Sequence, residues 1–218
     1  SASKSTYTGP SIYMAMQQSN SSAVSAPAAI TVARSQTTGM QITSAAFANT
    51  SGGSMDILLV AKKADFANGM NAQTLGFSAA DSFKITFAQY NANAKSLRAV
   101  VKNGNIWYIS QTANATTGAD QKTVIADASS ALWAVWDPLS SIDSSTLNFS
   151  TTVAGSTFQD IQAVGFYAHL TRTGAASATI YQVTKMDIGA TAIPEPATVG
   201  MLGLGALITM LVRRVKKI

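Results

Sequence analysis

Leu97-Arg98-Ala99-Val100-Val101-Lys102-Asn103-Gly104-Asn105-Ile106-Trp107-Tyr108-Ile109 is the stretch on which the fold turns. Apolar β-formers flank Asn103-Gly104 on both sides, and Asn-Gly supplies the positive φ angles of a type I′ turn. The segment predicts a tight antiparallel hairpin. Outward from it, the chain reads as short β segments separated by Gly, Asn, Asp and Ser. Strands are expected near 40–48, 55–62, 82–90, 96–102, 105–111, 122–126, 131–136, 145–152, 160–168 and 177–188. Phe83, Ile85 and Phe87 alternate with Ser82, Lys84 and Thr86, the period of two of a half-buried strand. Ile180, Val183 and Met186 do not keep that period, so a bulge is expected in the last strand. Residues 1–38 form a Ser-, Thr- and Ala-rich N-terminal segment broken by Pro10 and Pro27, with edge strands offered at Ile12-Tyr13-Met14 and Ile30-Thr31-Val32. So many strands with no long helix before residue 197 must close into a sandwich or barrel, giving an all-β antiparallel domain over 39–190.

Composition narrows the function. The formal charge of +5 misleads, because Arg213, Arg214, Lys216 and Lys217 crowd the C-terminus. The rest of the chain sets eleven cations against nine Asp, so no basic patch argues for nucleic acid. Charged residues are only 11% of the sequence, well below the usual quarter, and Ser, Thr, Ala, Asn and Gln fill the surface positions. Such a surface suits glycan contact or self-association. Cysteine is absent, and a domain of this size does not need disulfides. The sequence starts at Ser1 without an initiator Met, as expected of an exported chain whose leader has been removed.

The tail has its own logic. Pro194-Glu195-Pro196 precedes an uncharged apolar run of 16 residues, Ala197 to Val212, and then the four cations. A helix over 197–212 would be about 24 Å long, close to a bilayer core, and the cations fit a cytoplasmic stop. An ordinary single-span anchor is the plainer alternative. The order of a polar motif, a Gly- and Leu-rich helix (Val199-Gly200-Met201-Leu202-Gly203-Leu204-Gly205) and Arg213-Arg214 resembles the PEP-CTERM sorting signal of Gram-negative bacteria. That resemblance implies recognition of 191–218 by an exosortase, a membrane cysteine protease that cuts near the Pro-Glu-Pro. It implies a membrane-anchored precursor and a final place at the cell surface or in exopolysaccharide. The body of the chain is similar to the concanavalin-like jelly-roll sandwiches found ahead of this signal. The residues that carry this are Gly104-Asn105-Ile106-Trp107-Tyr108, Phe158 to Tyr167, and Met186-Asp187-Ile188.

Catalysis finds little foothold. A glycosidase needs two carboxylates, yet Glu195 of the sorting signal is the only Glu, and Asp65, Asp120 and Asp137 sit in turn contexts. A Ser-His-Asp arrangement would have to pass through His169, the only histidine, which reads as a strand-end surface residue. No zinc or iron spacing occurs, and no cofactor is expected, although calcium on Asp and Asn loop oxygens stays open. The protein is expected to be no enzyme. Trp107, Trp133 and Trp136 are the lead for sugar stacking, with core filling as their default role. Trp107 and Tyr108 must face apart, as must Trp133 and Trp136 on a regular strand. The expected partners are an exosortase, an exopolysaccharide or other glycan, and the membrane before processing. Self-assembly into an extracellular fibre, with residues 1–38 completing a neighbour's sheet, is the alternative.

Overall fold

The computed structural model of the protein describes residues 3–8, 12–19, 30–35, 39–44, 54–66, 73–90, 94–114, 121–138, 147–171 and 179–193. Its strands, in chain order, are β1 (Ser3–Thr8), β2 (Ile12–Ser19), β3 (Ile30–Ser35), β4 (Gly39–Ser44), β5 (Ser54–Lys62), β6 (Thr74–Gly76), β7 (Phe83–Tyr90), β8 (Ala94–Asn103), β9 (Ile106–Ser110), β10 (Gln121–Ile125), β11 (Leu132–Val135), β12 (Thr152–Ala154), β13 (Ile161–Thr171), β14 (Thr179–Ile188) and β15 (Thr191–Ile193). One helical turn at Lys63–Phe66 and a 3-10 turn at Gly155–Thr157 are the helical pieces among the described residues. The described part of the chain is all-β apart from these two turns.

Every pairing is antiparallel. An eight-stranded sheet runs β1-β2-β5-β13-β8-β9-β11-β12, a five-stranded sheet runs β10-β7-β14-β4-β3, and β15 pairs with β6 alone. Side chains of both large sheets meet in one inner core. Ile57, Leu59, Leu97, Ala99, Val101, Val164 and Phe166 come from the first, and Phe83, Ile85, Val124 and Val183 from the second. The alternation expected for 82–87 holds where side chains are described: Phe83 and Ile85 are buried, and Lys84 is half-exposed. A second core of Leu58, Val60, Val100, Ile109, Ala134, Trp136, Ala163 and Tyr167 lies on the opposite face of the eight-stranded sheet. Both faces of that sheet are therefore apolar at their centre, with continuous hydrophobic runs at residues 57–61 in β5 and 99–101 in β8 and a mostly apolar stretch at 163–168 in β13.

The hairpin forms, with its turn one residue further on than expected. Asn103 pairs with Ile106, so the two-residue loop is Gly104-Asn105, and Gly104 takes the positive φ of 56°. The reason is that Asn103 has other work. Its Oδ1 accepts from the backbone N–H of Gln159 at 3.1 Å and of Asp160 at 2.8 Å, tying the hairpin to the approach of β13. The irregularity expected in β14 is present as register shifts around Gln182, Val183 and Lys185.

Other expectations need correction. The strand expected at 145–152 is reduced to β12, which starts at Thr152. Asn148 Oδ1 accepts from Ser150 N–H at 2.9 Å, a local turn that competes with the ladder. Leu147 and Phe149 still face one way, but they cover the outer core rather than pair in a sheet. The N-terminal strands are not confined to edges: β2 lies between β1 and β5, while β3 borders the second sheet. The folded part also runs on past residue 190 into β15. The expected 197–212 helix lies outside the described residues, and among those described no helix is long and apolar enough to cross a membrane.

Candidate functional site

Two places gather polar side chains that the fold alone does not require. The first is on the outer face of the eight-stranded sheet. In β5 the residues Asp56, Leu58 and Val60 share that face, and in β13 Ala163, Tyr167 and His169 share it. His169 sits opposite Asp56, and Tyr167 opposite Leu58. Asp56, only 2% exposed, accepts from the Tyr167 hydroxyl at 2.5 Å and contacts His169 Nδ1 at 2.7 Å, both through Oδ1. One Asp56 oxygen is thus within hydrogen-bond reach of both the phenol and the imidazole. Ser96 is the cross-strand neighbour of His169 on β8, which places Asp56, His169 and Ser96 in one row.

Arg98, opposite Tyr167, completes the cluster. Its Nη1 donates to the carbonyls of Ser110 at 2.9 Å and Gln111 at 2.5 Å, and its guanidinium lies 4.4 Å from the centre of the Phe149 ring. Burial lowers its pKa from the ordinary arginine value, and Tyr167 acts against this. Chemically, the cluster is a carboxylate that orients an imidazole and a phenol. No three His, Cys, Asp or Glu side chains that could hold a metal converge among the described residues.

The aromatic lead divides. Trp133 is fully buried in the inner core, stacked on Phe77 with centroids 5.8 Å apart and flanked by Phe83 and Phe158. Its Nε1 donates to Ala128 O at 3.4 Å. Trp136 belongs to the outer core, edge-on to Tyr167 at 5.2 Å. Both are interior packing residues, so neither presents a ring for a sugar, and they do face apart. Trp107 is half-buried, with Lys102 Nζ 5.9 Å from its ring centre, while Tyr108 on the other face packs on Phe158. Of the three tryptophans, Trp107 alone is not fully buried, and it too packs against the outer core.

The second place is where the chain leaves the domain. After β14, Gly189 N–H donates to Ser82 O at 3.0 Å, and Ala190 and Ala192 pack on the inner core. Thr191 Oγ1 donates to Asp81 Oδ2 at 2.7 Å and lies 3.0 Å from Ser78 Oγ. The same Asp81 oxygen accepts from Ser78 N–H at 2.7 Å and Ser78 Oγ at 2.9 Å. Strand β15 then pairs Thr191, Ala192 and Ile193 with Gly76, Leu75 and Thr74. Gly76 is required there, because a Cβ would collide with the Ile193 side chain and lie 2.5 Å from Phe158 O. The residue that follows Ile193 in the chain is Pro194.

Residues 192–217 match the PEP-CTERM protein-sorting motif. Within it fall Pro194, Glu195 and Pro196 and the cations Arg213, Arg214, Lys216 and Lys217, all outside the described residues. The PEP-CTERM motif marks the chain as an exported protein sorted by an exosortase. None of the curated proteins and none of the solved structures matches this chain. The sorting motif was legible because it is local in sequence. The Asp81–Thr191 tie and the Asp56–Tyr167–His169 cluster were not, since each joins residues more than a hundred positions apart.

Proposed function

We propose that the protein is a non-enzymatic surface or matrix component associated with exopolysaccharide, displayed outside the cell after exosortase sorting. The observation that carries the reading is the PEP-CTERM match at 192–217. The low charge and the β-rich body support it, and Trp107, the least buried of the three tryptophans, is the residue best suited to stack on a sugar ring. The test is a polysaccharide pull-down with the purified exported protein and its Trp107→Ala variant. Wild type should be retained and the variant about tenfold weaker, in line with one aromatic contact worth about 1.4 kcal/mol. Equal retention of both proteins excludes Trp107 as the sugar contact. Deleting 194–218 should abolish surface retention, and a truncated protein that stays at the surface would count against the address.

A further inference from the structure

The sorting motif and the folded domain overlap: the motif begins at residue 192, inside β15, and Pro194 follows that strand with no spacer. A peptidase binds its substrate as an extended strand, through backbone groups on both sides of the bond to be cut. Thr191, Ala192 and Ile193 are already held as a strand against β6, and the backbone groups they direct at it are taken. Two side-chain contacts reinforce the strand. Thr191 is tied to the nearly buried Asp81, and Ala192 rests on the inner core. A membrane-embedded protease that engages Pro194-Glu195-Pro196 thus meets a bulky domain immediately before the motif.

We propose that β15 is a latch: it must peel from β6 before an exosortase can process the chain, and the fraction of molecules with β15 open sets the processing rate. This rests on the reading that an exosortase processes the chain at the motif. β15 is suited to the task because it is three residues long, pairs on one side only, and has Thr191 exposed. Such short, singly paired strands open at the low-stability end of a protein's local unfolding spectrum. Opening β15 leaves both large sheets paired as they are.

The test uses the full chain in cells that carry the exosortase, following conversion of the tail-bearing form by intact mass after a pulse of synthesis. Thr74 and Ile193 are cross-strand partners, and the sequence has no cysteine of its own, so T74C/I193C introduces a single defined disulfide. The oxidised double variant should be processed at least about tenfold more slowly than wild type, as each factor of ten reflects about 1.4 kcal/mol of lost opening. Reductant should restore the wild-type rate, and T74C alone should behave as wild type. Thr191→Val, which keeps the shape and removes the hydroxyl, should speed processing about three- to tenfold. A Gly/Ser spacer of about ten residues between Ile193 and Pro194 should speed it too, and should make it indifferent to the disulfide. The spacer variant also guards against a folding defect: if the locked protein with a spacer is processed normally, the domain is intact. Processing of the locked protein at the wild-type rate, or no effect of the spacer on wild type, overturns the latch. Wild type that is never processed overturns the underlying reading instead.

Discussion

The two faces of the eight-stranded sheet are both buried at their centres, but by different means. The inner face is closed by aromatic shape: Phe77, Phe83, Trp133, Phe158 and Phe166 meet at centroid distances of 5.6 to 6.0 Å. The outer face is closed by Trp136, Tyr167 and Phe149 around a carboxylate, an imidazole and a guanidinium. A face sealed by packing loses stability in proportion to the volume removed. A face sealed around charge loses it according to what is left unpaired.

That contrast can be broken in order of expected effect. Trp133→Ala should cost the most, about 3–5 kcal/mol in denaturant unfolding, because the indole fills the middle of the inner core. Asp56→Ala should follow at about 2–4 kcal/mol, since it removes the nearly buried carboxyl that accepts from the Tyr167 hydroxyl and contacts His169. A double-mutant cycle between Asp56→Ala and His169→Ala should show coupling above about 0.5 kcal/mol, and strict additivity would mean that the 2.7 Å contact contributes nothing. Phe149→Leu should cost about 1 kcal/mol by removing the ring over Arg98, with no change on the inner face.

The smallest effect sharpens the comparison from a turn that belongs to neither face. Hydrogen bonds from Ser129 and Ser130 hold the Asp127 carboxyl below its ordinary 3.8. Between the folded and unfolded values the unfolded chain binds more protons, so stability rises with pH there. The contribution is full above the unfolded value and is lost as pH falls through the folded one. Asp127→Asn should therefore lower stability slightly at neutral pH and flatten the acid limb below about pH 3.8, so that the two proteins converge at low pH. An unaltered acid limb would show that these bonds do not distinguish the folded carboxyl.

Most of the architecture was legible because strand period and turn residues are local quantities. The hairpin at 97–109, the alternation at 82–87 and the bulge in β14 all follow from a few consecutive residues. The three-residue strands β6 and β15 were not legible, since Thr74-Leu75-Gly76 and Thr191-Ala192-Ile193 are too short to show a period. Strand β12 slipped because Leu147 and Phe149 alternate like a strand while Asn148 turns the chain. The site fared unevenly. His169 read as a surface residue at a strand end, yet its partner Asp56 is the cross-strand residue on β5, which spacing along the chain cannot reveal. Trp133 and Trp136 could be told to face apart, but not that both directions lead to interior packing.

The placement of β13 and β14 has a consequence for biogenesis. In each large sheet the strand that joins the two halves comes late in the chain: β13 between β5 and β8, and β14 between β7 and β4. A polypeptide threading out amino end first exposes four unmatched strand borders until residues 161–188 arrive. The pairing that joins the two halves of each sheet therefore cannot be completed before residues 161–188 have emerged, which makes the contacts that close the fold non-local ones.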